Sequence, residues 1–239
     1  ITMAGIKSGI NGQINNNIVT DGLVINIDPS YPKSFIPGDS NAKNLSANFN
    51  NNGAIEGDGD TSLGVNRSFN YDGIDEYIDF ADSSNFDFGN TFTWNYWFRV
   101  TNHDNLRPLV MQGYTNSSGQ NNPSSITSDG ENVWNFRGQG NRINLGSVST
   151  NVWYHQGCTC NGSNLIMYLN GIQAGTGTGT VNYSASTNNR ILYGGNQNPQ
   201  YLNKSYFSGQ LGPLLVYNRT LSASEILQNY QAQKERFGL

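Results

Sequence analysis

"TFTWNYWFRV" (residues 91–100) alternates more cleanly than any other stretch of this chain. In an extended strand Phe92, Trp94, Tyr96, Phe98 and Val100 share one face, and Thr93, Asn95, Trp97 and Arg99 share the other. Trp94 and Phe98 are therefore expected to be buried in a β core. Similar but shorter patterns lie on both sides. "GLVINID" (22–28) alternates Leu23, Ile25 and Ile27 against Val24 and Asn26. "RSFNYDGIDEYIDF" (67–80) reads as strand, tight turn, strand, with Asp72-Gly73 at the turn. Further strands are expected near 107–114, 131–137 and 142–148. "NVWYHQGCTC" and "LIMYLNGIQAG" follow, joined by Asn161-Gly162-Ser163, and the last strands lie near 190–195 and 206–218. Residues 29–66 carry Pro29, Pro32, Pro37 and the acidic "EGDGDTS", and read as loop.

About a dozen short strands with frequent turn signals predict a two-sheet sandwich. Composition agrees. Charged residues are only 13%, Gly numbers 28, and Asn supplies about one residue in six. Both residue types serve turns and left-handed backbone. Aromatics at 12%, placed in alternating runs, exclude a disordered chain. The net charge of −4 comes with no basic stripe, so no nucleic-acid partner is expected. No run is apolar enough to cross a bilayer and no secretory signal pattern opens the sequence, so no membrane partner is expected either. Cys158 and Cys160 share one strand face, ~6.5–7 Å apart, which suits two buried thiols better than a disulfide. His155 falls on the opposite face, which argues against a shared zinc site.

The chain ends differently. After the apolar run at 214–217 and Asn218-Arg219, Ser222 and Glu225 have the spacing of a capping box. Ile226, Leu227 and Tyr230 give the helix that follows an apolar stripe, with Gln228, Gln231 and Lys234 facing solvent.

Four segments, in order, resemble one family. They are "FNYDGIDEYIDF", "TFTWNYWFRV", "VWYHQGCTCNGSNLIMYLNGIQAG" and "FSGQLGPLLVYNRTLSASEILQNY". Together they resemble concanavalin A-like lectin/glucanase domains of the laminin-G type, from about Gly22 to the C-terminus. The resemblance implies an all-β, two-sheet antiparallel jelly-roll sandwich with a short C-terminal helix. It also implies that the final strand lies beside the first. The chain then divides into an extended N-terminal arm, 1–20, and a single sandwich domain, 21–239.

Function has to come from the site. Glucanases of this fold carry a Glu-x-Asp-x-Glu run on one strand, which sets two carboxylates ~5.5 Å apart. No such run occurs; the nearest residues are Asp75, Glu76 and Asp79. No catalytic residue is assigned and the chain is expected not to be an enzyme. No cofactor is required. The resemblance does allow Ca²⁺ at the Asp-Gly turn through Asp72 and Asp75, but Gly212 stands where relatives supply another Asp. Sugar-binding sites need planar polar side chains beside an aromatic. The loops 115–130 and 195–206 hold such residues, and Asn198, Tyr201 and Tyr206 are the candidates.

The ending "LSASEILQNYQAQKERFGL", with the low charge and high Asn/Gly content, resembles virion proteins of tailed phages. The expectation is a virion structural or decoration protein at the particle surface, oligomeric there, with host glycans as a further partner. The alternative is an extracellular carbohydrate-binding or adhesion module secreted by a bacterium. Ile6, Ile10, Ile14, Ile18 and Val19 punctuate the arm, and are expected to lie on neighbouring virion subunits.

Overall fold

The computed structural model describes residues 17–47, 49–57, 63–81, 86–102, 107–112, 124–127, 134–138, 141–145, 147–178, 190–196 and 205–239. In chain order the strands are β1 (Leu23–Ile27), β2 (Asn41–Ala42), β3 (Gly53–Glu56), β4 (Phe69–Asp72), β5 (Tyr77–Phe80) and β6 (Thr91–Val100). Next come β7 (Arg107–Gln112), β8 (Ser124–Thr127), β9 (Trp134–Gly138), β10 (Asn141–Asn144), β11 (Trp153–Asn161), β12 (Asn164–Leu169) and β13 (Ile172–Thr178). Then follow β14 (Ile191–Tyr193), β15 (Gly195–Asn196), β16 (Ser205–Tyr206) and β17 (Ser208–Tyr217). Helix α1 (Ala223–Gln233) runs into a 3₁₀ turn, Lys234–Phe237.

The strands form two antiparallel sheets. Sheet one runs β1-β17-β6-β11-β12-β13, with β4 also paired to β17. Sheet two runs β10-β9-β8-β7-β14-β5-β3-β2. One apolar core lies between them, with Trp94, Tyr96 and Phe98 of β6 and Cys158 and Cys160 of β11 facing Ile78, Phe80, Val110 and Tyr193 of sheet two. Both thiols are free and buried, and burial pushes the Cys160 thiol up to about 12. The final strand pairs with the first, Leu23 opposite Tyr217 and Ile27 opposite Leu214.

The sandwich departs from the sequence reading in two stretches. The loop expected at 29–66 contains β2 and β3, and the loop expected at 115–130 contains β8. These strands have two to four residues, too few to show a period, and hydrogen bonds to longer neighbours define them.

The second face of β6 is also covered. Trp97 is fully buried and stacks on Phe237 at 4.1 Å and Tyr230 at 5.8 Å between ring centres. Its indole N–H donates to Gln233 Oε1 at 2.7 Å. Gly212 of β17 lies under the same cover. A Cβ there would sit 2.8 Å from Trp97 Cβ and 3.0 Å from Phe237 Cζ, so the position has no room for the Asp of relatives.

Helix α1 starts as its sequence dictates. Ser222 accepts from the Glu225 N–H, and the Glu225 carboxylate accepts from the Ser222 N–H. Its buried stripe differs from the expected one. Ile226 is buried, Leu227 is 37% exposed, and Asn229 is fully buried in a closed polar set. Asn229 Oδ1 accepts from Val19 N at 2.8 Å, Asn229 Nδ2 donates to the Tyr217 hydroxyl at 3.0 Å, and that hydroxyl donates to Val19 O at 2.9 Å.

That set moves the start of the folded domain. Ile18 and Val19, expected on a neighbouring subunit, are buried on their own domain with Leu23, Tyr168, Leu215, Tyr217, Leu221 and Ile226. Gln228 Nε2 donates to Asn17 O at 2.7 Å. Packing on the sandwich therefore extends back at least to Asn17. Ile6, Ile10 and Ile14 lie outside the described residues. Among the described residues no helix is long and apolar enough to cross a membrane.

Ile226→Asp should destabilise the domain by ~3 kcal/mol or more, since it forces a charge against Gly157 and the Tyr217 cluster. Ser222→Ala should cost only ~1 kcal/mol. Denaturant melts would check both, and equal effects would mean that α1 does not dock. In the core, Phe98→Ala should cost ~3–5 kcal/mol, and a loss under ~1 kcal/mol would contradict its facing.

Candidate functional site

The β4–β5 connection is a tight turn centred on Gly73, whose φ is +90°. Asp72 sets it, with Oδ1 accepting from the Ile74 N–H at 2.7 Å. Strand β5 then alternates. Glu76, Ile78 and Phe80 point inward, while Tyr77 and Asp79 face out from sheet two with Leu192 of β14, the neighbour of Asp79 in register.

Three groups on this outward patch, Tyr77, Asp79 and Tyr206, have shifted ionisation. Asp79 Oδ2 pairs with Arg190 Nη2 at 2.9 Å. Burial raises the Asp79 carboxyl against the pull of Arg190. Tyr77 is pushed up to about 12, chiefly by burial and then by the negative charges of Glu56 and Asp79. Burial and Asp75 raise Tyr206. Behind the turn, Glu76 is 3% exposed and its Oε2 accepts from the Asp72 N–H at 3.2 Å. Burial and the side-chain hydrogen bond with Asp72 lift its carboxyl to about 7, a carboxylic acid poised to exchange a proton near neutral pH. The sequence reading missed Glu76 as a buried group. Its parity with Ile78 and Phe80 was the available signal.

The loop at 195–206 is anchored on this patch. Gly195 pairs with Tyr206, and Asn196 with Ser205. A Cβ on Gly195 would lie 2.5 Å from Tyr77 Cβ, so only glycine lets the small hairpin seat against the sheet. Tyr206 stacks on Tyr77 at 6.1 Å between ring centres and is 6% exposed. Its expected role as an open sugar platform is corrected accordingly. The ring is spent on Tyr77, and Tyr206 forms the floor that holds the loop base. Asn198 and Tyr201 lie outside the described residues. The rim around this floor is polar, with exposed Glu56 and Asp72, half-buried Asp75 and Arg190, and Ile74 68% exposed at the turn.

At the turn the Asp72 carboxylate is already engaged. Asp72 Oδ1 is taken by the Ile74 N–H, and Glu76 is held as a weak acid. Among the described residues no three His, Cys, Asp or Glu side chains converge as a metal site. Ca²⁺ takes six to eight oxygens, and Gly212 contributes no carboxylate.

The fold is that of a concanavalin A-like, lectin-type β-sandwich. The chain belongs to the concanavalin A-like lectin/glucanases superfamily, whose model matches residues 72–227. No curated protein matches it in sequence.

Solved structures share the fold. A Trypanosoma rangeli sialidase in complex with sialic acid superposes with a TM-score of 0.69 at 16% identity, covering 92% of this chain and 34% of the sialidase. The chain thus spans about a third of the sialidase length. The binding domain of botulinum neurotoxin serotype C1 gives 0.60 at 14% identity, covering 89% of this chain and 52% of that one. Domain 4 of AbnA, a GH43 extracellular arabinanase from Geobacillus stearothermophilus, in complex with arabinotriose, gives 0.57 at 15% identity, covering 87% and 98%.

These likenesses show the fold alone, and they correct one expectation. The missing Glu-x-Asp-x-Glu run was read as marking a chain that is not an enzyme. Sialidases are glycosidases, and their chains carry this architecture. The missing run excludes one arrangement of carboxylates, not the glycosidase-type domains to which the fold is related.

Glu76 sets a pH dependence. Its folded-state value near 7 lies above the ordinary 4.5, so the native state holds a proton that the unfolded chain has released. Stability linked to it is full below pH 4.5 and declines as pH rises towards 7. Glu76→Gln should therefore gain stability relative to the parent as pH rises through that window, by a few kcal/mol at most. Paired melts at pH 4.5 and 7.5 would read this, and a pH-independent difference would refute a buried weak acid.

Proposed function

We propose that this chain binds glycans through the rim formed by the β4–β5 turn, Glu56, Arg190 and the paired strands β15 and β16. One observation carries the reading. The Asp-Gly turn and the 195–206 loop are far apart in sequence, yet they meet at the Tyr77–Tyr206 stack. Carboxylates and a guanidinium around a rigid floor suit sugar hydroxyls, because charged groups form the stronger hydrogen bonds. The arabinotriose complex of AbnA domain 4, a chain matched over 98% of its length, lends support at the level of the fold.

For its setting we propose the surface of a tailed-phage virion. The support is the resemblance of the ending "LSASEILQNYQAQKERFGL" to virion proteins. A secreted bacterial adhesion or carbohydrate-binding module is the second reading. It gains from Ile18 and Val19, which serve their own domain rather than a neighbour.

A glycan array with the full chain tests the binding reading. Glu56→Ala and Asp75→Asn should each weaken the best glycan by about tenfold, with melting unchanged. Absence of binding to any glycan, or binding indifferent to both substitutions, would sink this site. Mass spectrometry of intact phage particles separates the two settings.

A further inference from the structure

Strand β13 is an open edge. Its seven residues, Ile172–Thr178, are exposed or half-exposed along their whole length. They pair with β12 on one side. β10 of sheet two comes close to β13, but forms no bridge with it among the described residues. Folded proteins guard such edges with Lys, Pro or a bulge that twists the strand away. Here "IQAGTGT" has neither charge nor proline. The register slips opposite Met167 and Tyr168, and the pairs from Gly175 to Thr178 are then regular. Beside the strand's start, Ile172 is 72% exposed and Leu227 of α1 37% exposed.

We propose that β13 receives the N-terminal residues 1–16 of a neighbouring copy of this chain as an added strand. The described chain begins at Asn17, held by Gln228 of α1, with Ile18 buried beside Tyr168 of β12. The segment thus leaves the domain next to α1, and α1 itself touches β13. At ~3.3 Å per residue it has a reach of ~50 Å, ample to span to a neighbour. In a strand, Ala4, Ile6, Ile10 and Ile14 would share one face with the parity of the buried Ile18, interspersed with Thr2, Ser8, Gly12 and Asn16, and from residue 5 to 15 the other face would hold Gly5, Lys7, Gly9, Asn11, Gln13 and Asn15. Lys7 is the segment's sole charged side chain, so an uncharged edge meets a nearly uncharged strand. Main-chain hydrogen bonds would supply the affinity, as in other strand additions. Among the described residues no strand pairs with the second side of β13, and the proposal gives that place to a second chain.

Three proteins test this by sedimentation across a concentration series: the full chain, a chain lacking residues 1–16, and the full chain with Thr176→Lys and Thr178→Lys. The truncated chain retains Asn17, Ile18 and Val19 and their contacts with α1 and β17, and melting curves are the control for its fold. The full chain should self-associate, and each alteration should weaken association at least about tenfold. A labelled peptide of residues 1–16 should bind the truncated protein saturably, and should not bind it once the two lysines are added. A full chain that stays monomeric while the peptide fails to bind overturns the proposal. Association that survives truncation but not the lysines overturns it in favour of β13 pairing with itself. Association that survives the lysines but not truncation places the segment elsewhere and overturns it as well.

Discussion

Strand β6 is buried on both faces, and that constraint organises the rest of the molecule. Its inner face builds the core between the sheets. Its outer face presents Trp97, which one sheet cannot hide. The cover comes from the C-terminus, where Phe237 and Tyr230 stack on the indole and Gln233 takes its N–H. β17 must lie directly beside β6, and the chain must reverse at Asn218-Arg219 for the helix to return. Thr93 on the outer face of β6 fastens that reversal, donating to Arg219 O at 2.8 Å and accepting from Leu221 N at 2.9 Å. Arg219 reaches Asp21 at 2.8 Å and Glu225 at 2.6 Å, which holds the Glu225 carboxyl down at about 2. One bond set therefore joins the first strand, the last strand and the helix cap.

The fold was legible where a period persisted. Ten residues of alternation located β6, an Asp-Gly pair located the β4–β5 turn, and Ser222 with Glu225 located the start of α1. It was illegible where structure depends on a partner. β2, β3 and β8 have two to four residues and owe their form to neighbouring strands. Asn229 lies outside the expected apolar stripe, yet Val19 and Tyr217 make its burial favourable. Tyr206 was chosen for its ring, but strand pairing with Gly195 turns that ring onto Tyr77. Glu76 was passed over because its importance comes from burial, which parity signals only weakly in a four-residue strand.

Covering β6 also buries polar groups. Beneath α1, both amide atoms of Asn95 and both ring nitrogens of His155 have no hydrogen-bond partner among the protein groups. His155 packs against Trp97 and Tyr230, and burial alone drives its value down to about 3. An imidazole in that place stays neutral across the physiological range, and each unmet polar atom costs on the order of 1–3 kcal/mol. The helix is thus docked over a face that is apolar at Trp97, Leu215 and Tyr217 and costly at Asn95 and His155.

His155 and Glu76 load the fold in opposite senses. For His155 the unfolded chain binds a proton below its ordinary 6.5 that the native state refuses down to about 3, so stability linked to it falls as pH drops through that range. For Glu76 the native state keeps a proton between 4.5 and about 7 that the unfolded chain gives up, so stability linked to it falls as pH rises. Each slope approaches ~1.4 kcal/mol per pH unit where the proton difference is complete. The windows overlap between 4.5 and 6.5, and there the two slopes cancel. The two groups sit in different sheets, one behind the candidate rim and one beneath the C-terminal helix, with no shared contact. Their compensation is therefore additive and not cooperative: a change at the rim that neutralises Glu76 leaves the His155 slope intact, and stability then tracks the helix-covered face alone.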